Sequence, residues 1–151
     1  MSHFSVAVFM ADDKQSIDAL LAPYDENLGN IYTCNPNAKW DSYAVGGRWQ
    51  DMLILKNKKS CDDAYVRNID FEAMKKLNST NEKHLKRRLS FNTFAAITPD
   101  GKWHEQGKMH GWGISSATPK EERAWKFNYY DRFIKPALEN NWYLVIIDCH
   151  I

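Results

Sequence analysis

The stretch between residues 35 and 49 carries side chains that are well suited to hold a ligand. Its candidates are Lys39, Trp40, Tyr43, Gly46, Gly47, Arg48 and Trp49. Arginine presents a planar fork of donors that matches a phosphate or a carboxylate, and aromatic rings offer faces on which a base can stack. The backbone N–H groups of adjacent glycines can approach an anion closely. Together these residues predict a site for a small anionic or nucleotide-like molecule.

The same stretch also fits a structural interpretation. Residues 40–45 are predicted to form a strand, the Gly46-Gly47 pair bends the chain, and residues 48–56 pair back as the next strand. The tryptophans then pack in the core, and Arg48 forms an ion pair with Asp41 or Asp51. The chain has neither a Gly-x-Gly-x-x-Gly fingerprint nor a Walker loop, and we expect no bound cofactor.

A second group of candidates lies at the two ends of the chain. Asp148 and His150 are two residues apart in a predicted strand, so they share one face of it. His3 begins the first predicted strand. If the terminal strands are antiparallel neighbours, His3 and His150 come together, with Asp148 beside them.

This terminal group admits three interpretations. Histidines oriented by an aspartate can bind an anion, which is the interpretation we prefer for His3, Asp148 and His150. The same three side chains could instead hold a metal ion for hydrolysis. The structural alternative is a pair of polar strand ends in which an aspartate holds one histidine. Cys149 faces away from both neighbours, so we expect it in the core.

Composition limits the class of protein. The chain has 151 residues, 44% of them apolar, which fits a single domain over residues 1–151. A formal net charge of +1 argues against a dedicated duplex-DNA binder. No apolar run has the length of a membrane span. Three cysteines without a Cys-x-x-Cys pair favour reduced thiols in the cytoplasm.

Periodicity predicts the elements that position these candidates. Residues 4–10 and 143–147 are apolar runs typical of buried strands, and Ser16 is placed to cap a short helix. The turn at residues 99–101 predicts a β-hairpin. A capping box at residues 118–121 begins a helix whose Trp125, Tyr129 and Phe133 recur every four residues. A further helix is predicted over residues 82–89, with the basic run at 83–88 as a solvated face. We predict an α+β fold: a single mixed or antiparallel sheet with helices packed on one face.

Short blocks spread over the whole chain carry a resemblance to known proteins. They are residues 2–6, 21–27, 35–41 and 46–49, the turn at 101–103, and residues 111–113 and 148–150. On these blocks the chain resembles a family of small, uncharacterised bacteriophage proteins. The resemblance implies a protein made in the cytoplasm of an infected host cell, and we expect it to act against a host defence.

Three hypotheses on function follow. The first is a binding protein that holds a phosphorylated or nucleotide-like molecule without turnover. The second is a metal-assisted hydrolase or nuclease that uses His3, Asp148 and His150. The third is an interaction module whose exposed tryptophans dock and inhibit a host protein. The sequence also permits a homo-oligomer.

Overall fold

The computed structural model describes residues 2–29, 32–74, 91–110 and 114–151. The helix predicted over residues 82–89, the basic run at 83–88 and the glycine-flanked Trp112 lie outside the described residues. Within them, no helix is long and apolar enough to cross a membrane.

Strands and helices follow one another in this order along the described chain: β1 (His3–Met10), α1 (Ile17–Leu21), β2 (Ser42–Val45), β3 (Leu53–Ile54), β4 (Ser60–Cys61), β5 (Asp63–Tyr65), β6 (Ala95–Ile97), β7 (Trp103–Glu105), β8 (Met109–His110), β9 (Ile114–Ser115), α2 (Pro119–Tyr129), α3 (Lys135–Glu139) and β10 (Tyr143–His150).

The main sheet is built around the two ends of the chain. Its strands lie in the order β2-β10-β1-β6-β7, and β5 also pairs with β10. β1 and β10 are antiparallel over their full lengths, from His3 opposite His150 to Met10 opposite Tyr143. β1 and β6 are parallel, so the sheet is mixed. The α+β class, the mixed sheet and the neighbouring terminal strands are therefore confirmed.

The helix that begins at Pro119 covers one face of the sheet. Thr118 caps it by accepting a hydrogen bond from the Glu121 backbone N–H at 3.2 Å, which confirms the capping box. Trp125, Tyr129 and Phe133 are buried against apolar side chains of β1, β6 and β10. The predicted stripe is the face that packs on the sheet.

A wide turn connects α2 to α3. Residues Tyr130–Ile134 form one turn of π-helix, in which the Lys135 N–H donates to the Tyr130 carbonyl. Pro136 has no N–H to offer the preceding turn, and its ring crowds the carbonyl four residues before it. The π turn accommodates that crowding.

The helices do not all lie on one face, which corrects part of the prediction. Helix α1 contributes Leu20 and Leu21 to a second core on the opposite side of the sheet, together with Trp40 and the alternate side chains of β1 and β10. The reason is that β1 and β10 are apolar on both faces, and each face needs a covering layer. The short α1 and the segment around Trp40 supply the second layer.

Candidate functional site

The register of the terminal strands brings their histidines together. His3 lies directly opposite His150, and the two imidazole centroids are 5.0 Å apart in an edge-to-face arrangement. Both side chains lie on the face of the sheet that α2 covers further along the strands, where Ala7 and Ile146 belong to the α2-facing core. The cluster predicted from strand periodicity is therefore assembled at one end of the sheet.

Each histidine is held by its own carboxylate. Asp148 Oδ1 accepts from His3 Nδ1 at 2.8 Å, and Asp41 Oδ1 accepts from His150 Nδ1 at 2.6 Å. Because the Nδ1 proton of each ring points at a carboxylate, Nε2 is the ring atom that remains to bind a ligand or exchange a proton. His150 Nε2 is buried and has no hydrogen-bond partner among the described residues. His3 is more open, with 29% of its side chain exposed.

Asp41 is the residue that sequence reasoning missed in this role. Its position in the sequence suggests only a pairing with Arg48. The Asp41 N–H donates to the His150 carbonyl at 2.8 Å, which extends the β2–β10 ladder and sets the two side chains next to each other. Only knowledge that β2 pairs with β10 would have found it.

The local electrostatics favour the ionised form of Asp41. Burial acts to raise the pKa of this carboxyl group, but hydrogen bonds from His150 and Ser42 outweigh burial and hold the pKa below its usual value. The carboxylate therefore stays charged at neutral pH and orients His150.

The Gly46-Gly47 turn is built around Asp148. The Arg48 N–H donates to Asp148 Oδ2 at 3.0 Å, and a Cβ at Gly47 would fall 2.4 Å from the Asp148 side chain. Both glycines have positive φ, +71° and +53°. The backbone N–H that reaches a carboxylate in this turn is that of Arg48, whereas the Gly46 N–H is used by the Ile146 carbonyl.

The predicted hairpin at this turn is wrong. β2 pairs with β10, and residues Gly47–Trp49 form a turn of 3-10 helix instead of starting a returning strand. The Gly46 N–H donates to the Ile146 carbonyl at 2.8 Å, which ties the turn to the sheet centre. The two positive φ angles and the bond from Arg48 to Asp148 direct the chain away from a hairpin.

A small pocket opens beside His3. Its volume is about 150 Å³, and its wall includes His3, Ser5, Trp49, Phe94 and Gln106. Trp49 is partly buried and packs against the α2-facing core, so its ring is fixed in place. The pocket combines an imidazole, aromatic surface and a side-chain amide.

The structure divides the predicted 39–49 site between the two sides of the sheet. Trp40 is buried in the second core and donates from Nε1 to the Leu21 carbonyl at 3.1 Å. Lys39 forms an ion pair with Glu105 at 2.7 Å, and the Tyr43 hydroxyl donates to Asp18. These three residues do not join the histidines, because Trp40 and Tyr43 belong to the second core and Lys39 is bound by Glu105.

Arg48 and Trp49 remain near the histidine cluster. The Arg48 side chain is exposed and forms none of the ion pairs found among the described residues. The ion pair with Asp41 or Asp51 that the structural interpretation offered is not found among the described residues, and Asp41 binds His150 instead. The cation is therefore available to a ligand at the rim of the cluster.

The metal-site hypothesis and the tryptophan-docking hypothesis can each be compared with the described residues. No group of three or more His, Cys, Asp or Glu side chains among them is placed to hold a metal ion. Asp148 uses one carboxylate oxygen to accept from His3 Nδ1 and the other to accept from the Arg48 backbone N–H. Among the tryptophans within the described ranges, two are buried and three are half-buried.

Comparisons with protein-family models, with curated proteins and with solved structures give no match to this chain.

Proposed function

We propose that this protein binds a phosphorylated, nucleotide-like small molecule at the paired histidines. The observation that carries the proposal is the arrangement of His3 and His150, which lie side by side with each Nδ1 held by a carboxylate. His3, whose side chain is 29% exposed, presents its Nε2 in a defined direction, and a protonated imidazole is a charge-assisted donor to phosphate.

The charges of the two histidine–aspartate pairs make the binding of an anion depend on pH. A neutral histidine with its aspartate carries one negative charge, which repels an anion. Protonation brings each pair to zero and turns Nε2 into a donor. Affinity for a phosphate should therefore be higher when the rings are protonated, and it should rise as the pH is lowered. The exposed Arg48 adds attraction that does not depend on this protonation.

The pocket beside His3 supports a nucleotide-like ligand over a bare phosphate. Trp49 and Phe94 offer aromatic surface on which a base can stack. Gln106 lines the same pocket, and an amide can both donate to and accept from the edge of a base. The phosphate would then lie at the histidines and the base in the pocket.

The resemblance to small bacteriophage proteins supports a setting for this binding. In the cytoplasm of an infected bacterium, a protein that retains a nucleotide-like molecule without converting it would withdraw that molecule from host defence. This element of the proposal rests on the resemblance alone.

Calorimetric titrations with adenosine monophosphate, ribose 5-phosphate and adenosine test the site at about pH 6. We expect the monophosphate to bind most tightly. His3→Gln should weaken both phosphorylated ligands about 10- to 100-fold, as expected for a lost charge-assisted hydrogen bond. Trp49→Leu should weaken the monophosphate and leave ribose 5-phosphate nearly unchanged.

His110→Gln is the matched control, because His110 is an exposed histidine on β8. It should bind all three ligands as the wild type does. Equal affinities of wild type and His3→Gln for each phosphorylated ligand, or no binding of any of them at millimolar concentration, would refute the proposal.

A hydrolase or nuclease is the second candidate, and the two histidine–carboxylate pairs favour it. An imidazole whose Nδ1–H is held by a carboxylate has its Nε2 lone pair placed to accept a proton. A metal ion recruited by these rings would meet competition from protons, so its affinity would fall with falling pH, opposite to anion binding. Turnover of a ribonucleotide diester that His3→Gln abolishes would establish this candidate. Recovery of all substrate intact, with and without added divalent metal, would dismiss it.

A further inference from the structure

The sheet face opposite the histidines carries a second, larger cleft. Its volume is about 300 Å³, and it lies over β2 and β10, beside the segment that joins β1 to α1. Its floor is apolar and its walls carry three carboxylates. None of the functions considered above uses it.

The carboxylates occupy the two ends of this cleft. At one end Asp63 lies opposite Val145 of β10 and accepts from the Tyr143 hydroxyl at 2.5 Å. At the other end Asp18 accepts from the Tyr43 hydroxyl, and Tyr43 lies opposite Cys149. Val145 and Cys149 are four residues apart, so the β10 positions opposite Asp63 and Tyr43 are separated by roughly 13 Å along the strand.

Asp13 adds negative charge at the end of the cleft that Asp63 and Tyr143 form. Burial raises the pKa of Tyr143, and the hydrogen bond and charge of Asp63 and the charge of Asp13 raise it further. The phenol therefore remains protonated and keeps donating to Asp63. At each acidic end a tyrosine hydroxyl donates to an exposed aspartate, to Asp63 at one end and to Asp18 at the other.

Aliphatic surface separates the acidic ends. Val145 and Met10 are buried beneath the cleft, and Val45 lines it with 49% of the residue exposed. An exposed valine between two acidic ends is a place where a methylene chain can be buried.

Positive charge is missing from the walls. Among the described residues, none of those that line the cleft is a lysine or arginine. Asp13, Asp18 and Asp63 also take part in no ion pair among them. Three negative charges without a cationic partner among the described residues favour a cationic occupant, and tyrosine rings attract an ammonium group as well.

We propose that this cleft binds a linear aliphatic polyamine, with an ammonium group at each acidic end and its methylene chain along Val45 and Val145. The alternation of acid, apolar floor and acid matches a chain with charges at both ends. A single compact cation would satisfy only one end.

Titration of the full-length protein with spermidine, 1,4-diaminobutane, n-butylamine and magnesium chloride at low ionic strength tests this proposal. We expect spermidine to bind most tightly, then diaminobutane, with butylamine at least tenfold weaker than spermidine. Magnesium chloride, added so that it supplies the same concentration of positive charge as spermidine, should not displace spermidine. Added salt should weaken binding, because the carboxylates are exposed.

Substitutions locate the site. Val45→Lys places a cation between the acidic ends and should lower spermidine affinity more than tenfold, whereas Val45→Thr keeps the shape and neutrality and should change it little. Asp63→Asn and Asp18→Asn each retain an oxygen that accepts from tyrosine, and each should weaken binding about tenfold. Glu139→Gln removes a negative charge at the exposed end of α3 and is the matched control.

Circular dichroism and the urea midpoint verify that each variant folds. Equal binding of spermidine, butylamine and magnesium would overturn the proposal, since it would indicate nonspecific attraction of cations. Wild-type affinity in Val45→Lys, or in both aspartate variants should Val45→Lys fail to fold, would overturn it equally.

Discussion

Replacement of Gly47 by alanine should destabilise the protein through contact with Asp148. The Gly47 φ of +53° is unfavourable for alanine, and residues with a side chain lose about 1–2 kcal/mol in this region. The added Cβ would lie 2.4 Å from the Asp148 side chain, which is far inside a normal contact. Asp148 cannot retreat easily, because only 7% of its side chain is exposed and its strand lies between β1 and β2.

The displaced carboxylate would weaken its bonds to His3 and to the Arg48 N–H. A hydrogen bond to a charged group contributes about 1.5–3 kcal/mol. The loss of one of these two hydrogen bonds, added to the cost of the positive φ angle, lowers the free energy of unfolding by roughly 2.5–5 kcal/mol. This is a large share of the stability of an ordinary domain.

Gly101→Ala is the matched control for the backbone term. Gly101 also has a positive φ, +82°, but nothing lies within 4 Å of a Cβ built there. It should lose only about 1–2 kcal/mol. Urea unfolding followed by tryptophan fluorescence and extrapolated to water measures both variants. Equal losses for Gly47→Ala and Gly101→Ala would refute the argument, because the contact with Asp148 would then contribute nothing.

Two further predictions concern titration and buried polar groups. The pKa of Asp41 lies below its usual value of 3.8, because hydrogen bonds from His150 and Ser42 outweigh the effect of burial. The ionised carboxylate therefore stabilises the folded protein at pH values above 3.8. This contribution is lost as the pH falls through the lower pKa of the folded state. The difference in unfolding free energy between wild type and Asp41→Asn should be larger at about pH 7 than at about pH 2, and a constant difference would contradict this. Tyr129→Phe should lose about 1–2 kcal/mol in urea unfolding, because the buried Tyr129 hydroxyl bonds Thr93 Oγ1 at 2.7 Å. Tyr130→Phe, which removes a hydroxyl without a partner among the described residues, should be nearly neutral, and an equal loss in both would contradict the reasoning.

Local signals predicted the elements that frame the histidine cluster. The apolar runs at residues 4–10 and 143–147 are strands, and Ser16 and Thr118 accept the capping bonds expected of them. The turn at residues 99–101 joins β6 and β7 as a hairpin. Each of these depends on residues within a few positions of one another, so the sequence contains what is needed.

The approach of His3 to Asp148 was also within reach of sequence reasoning. Strand periodicity places Asp148 and His150 on one face, and two strands that are apolar on both sides belong at the centre of a sheet. Their antiparallel pairing then sets His3 opposite His150.

Only the tertiary structure decided the partners of the 39–49 stretch. The pairing of β2 with β10 joins residues about a hundred positions apart, and no local residue type specifies it. That pairing sends Trp40 and Tyr43 to the face opposite the histidines, brings Asp41 to His150 and sets Gly47 against Asp148. The sequence by itself therefore determined which residue types are available for binding, and long-range strand pairing decided which of them share a site.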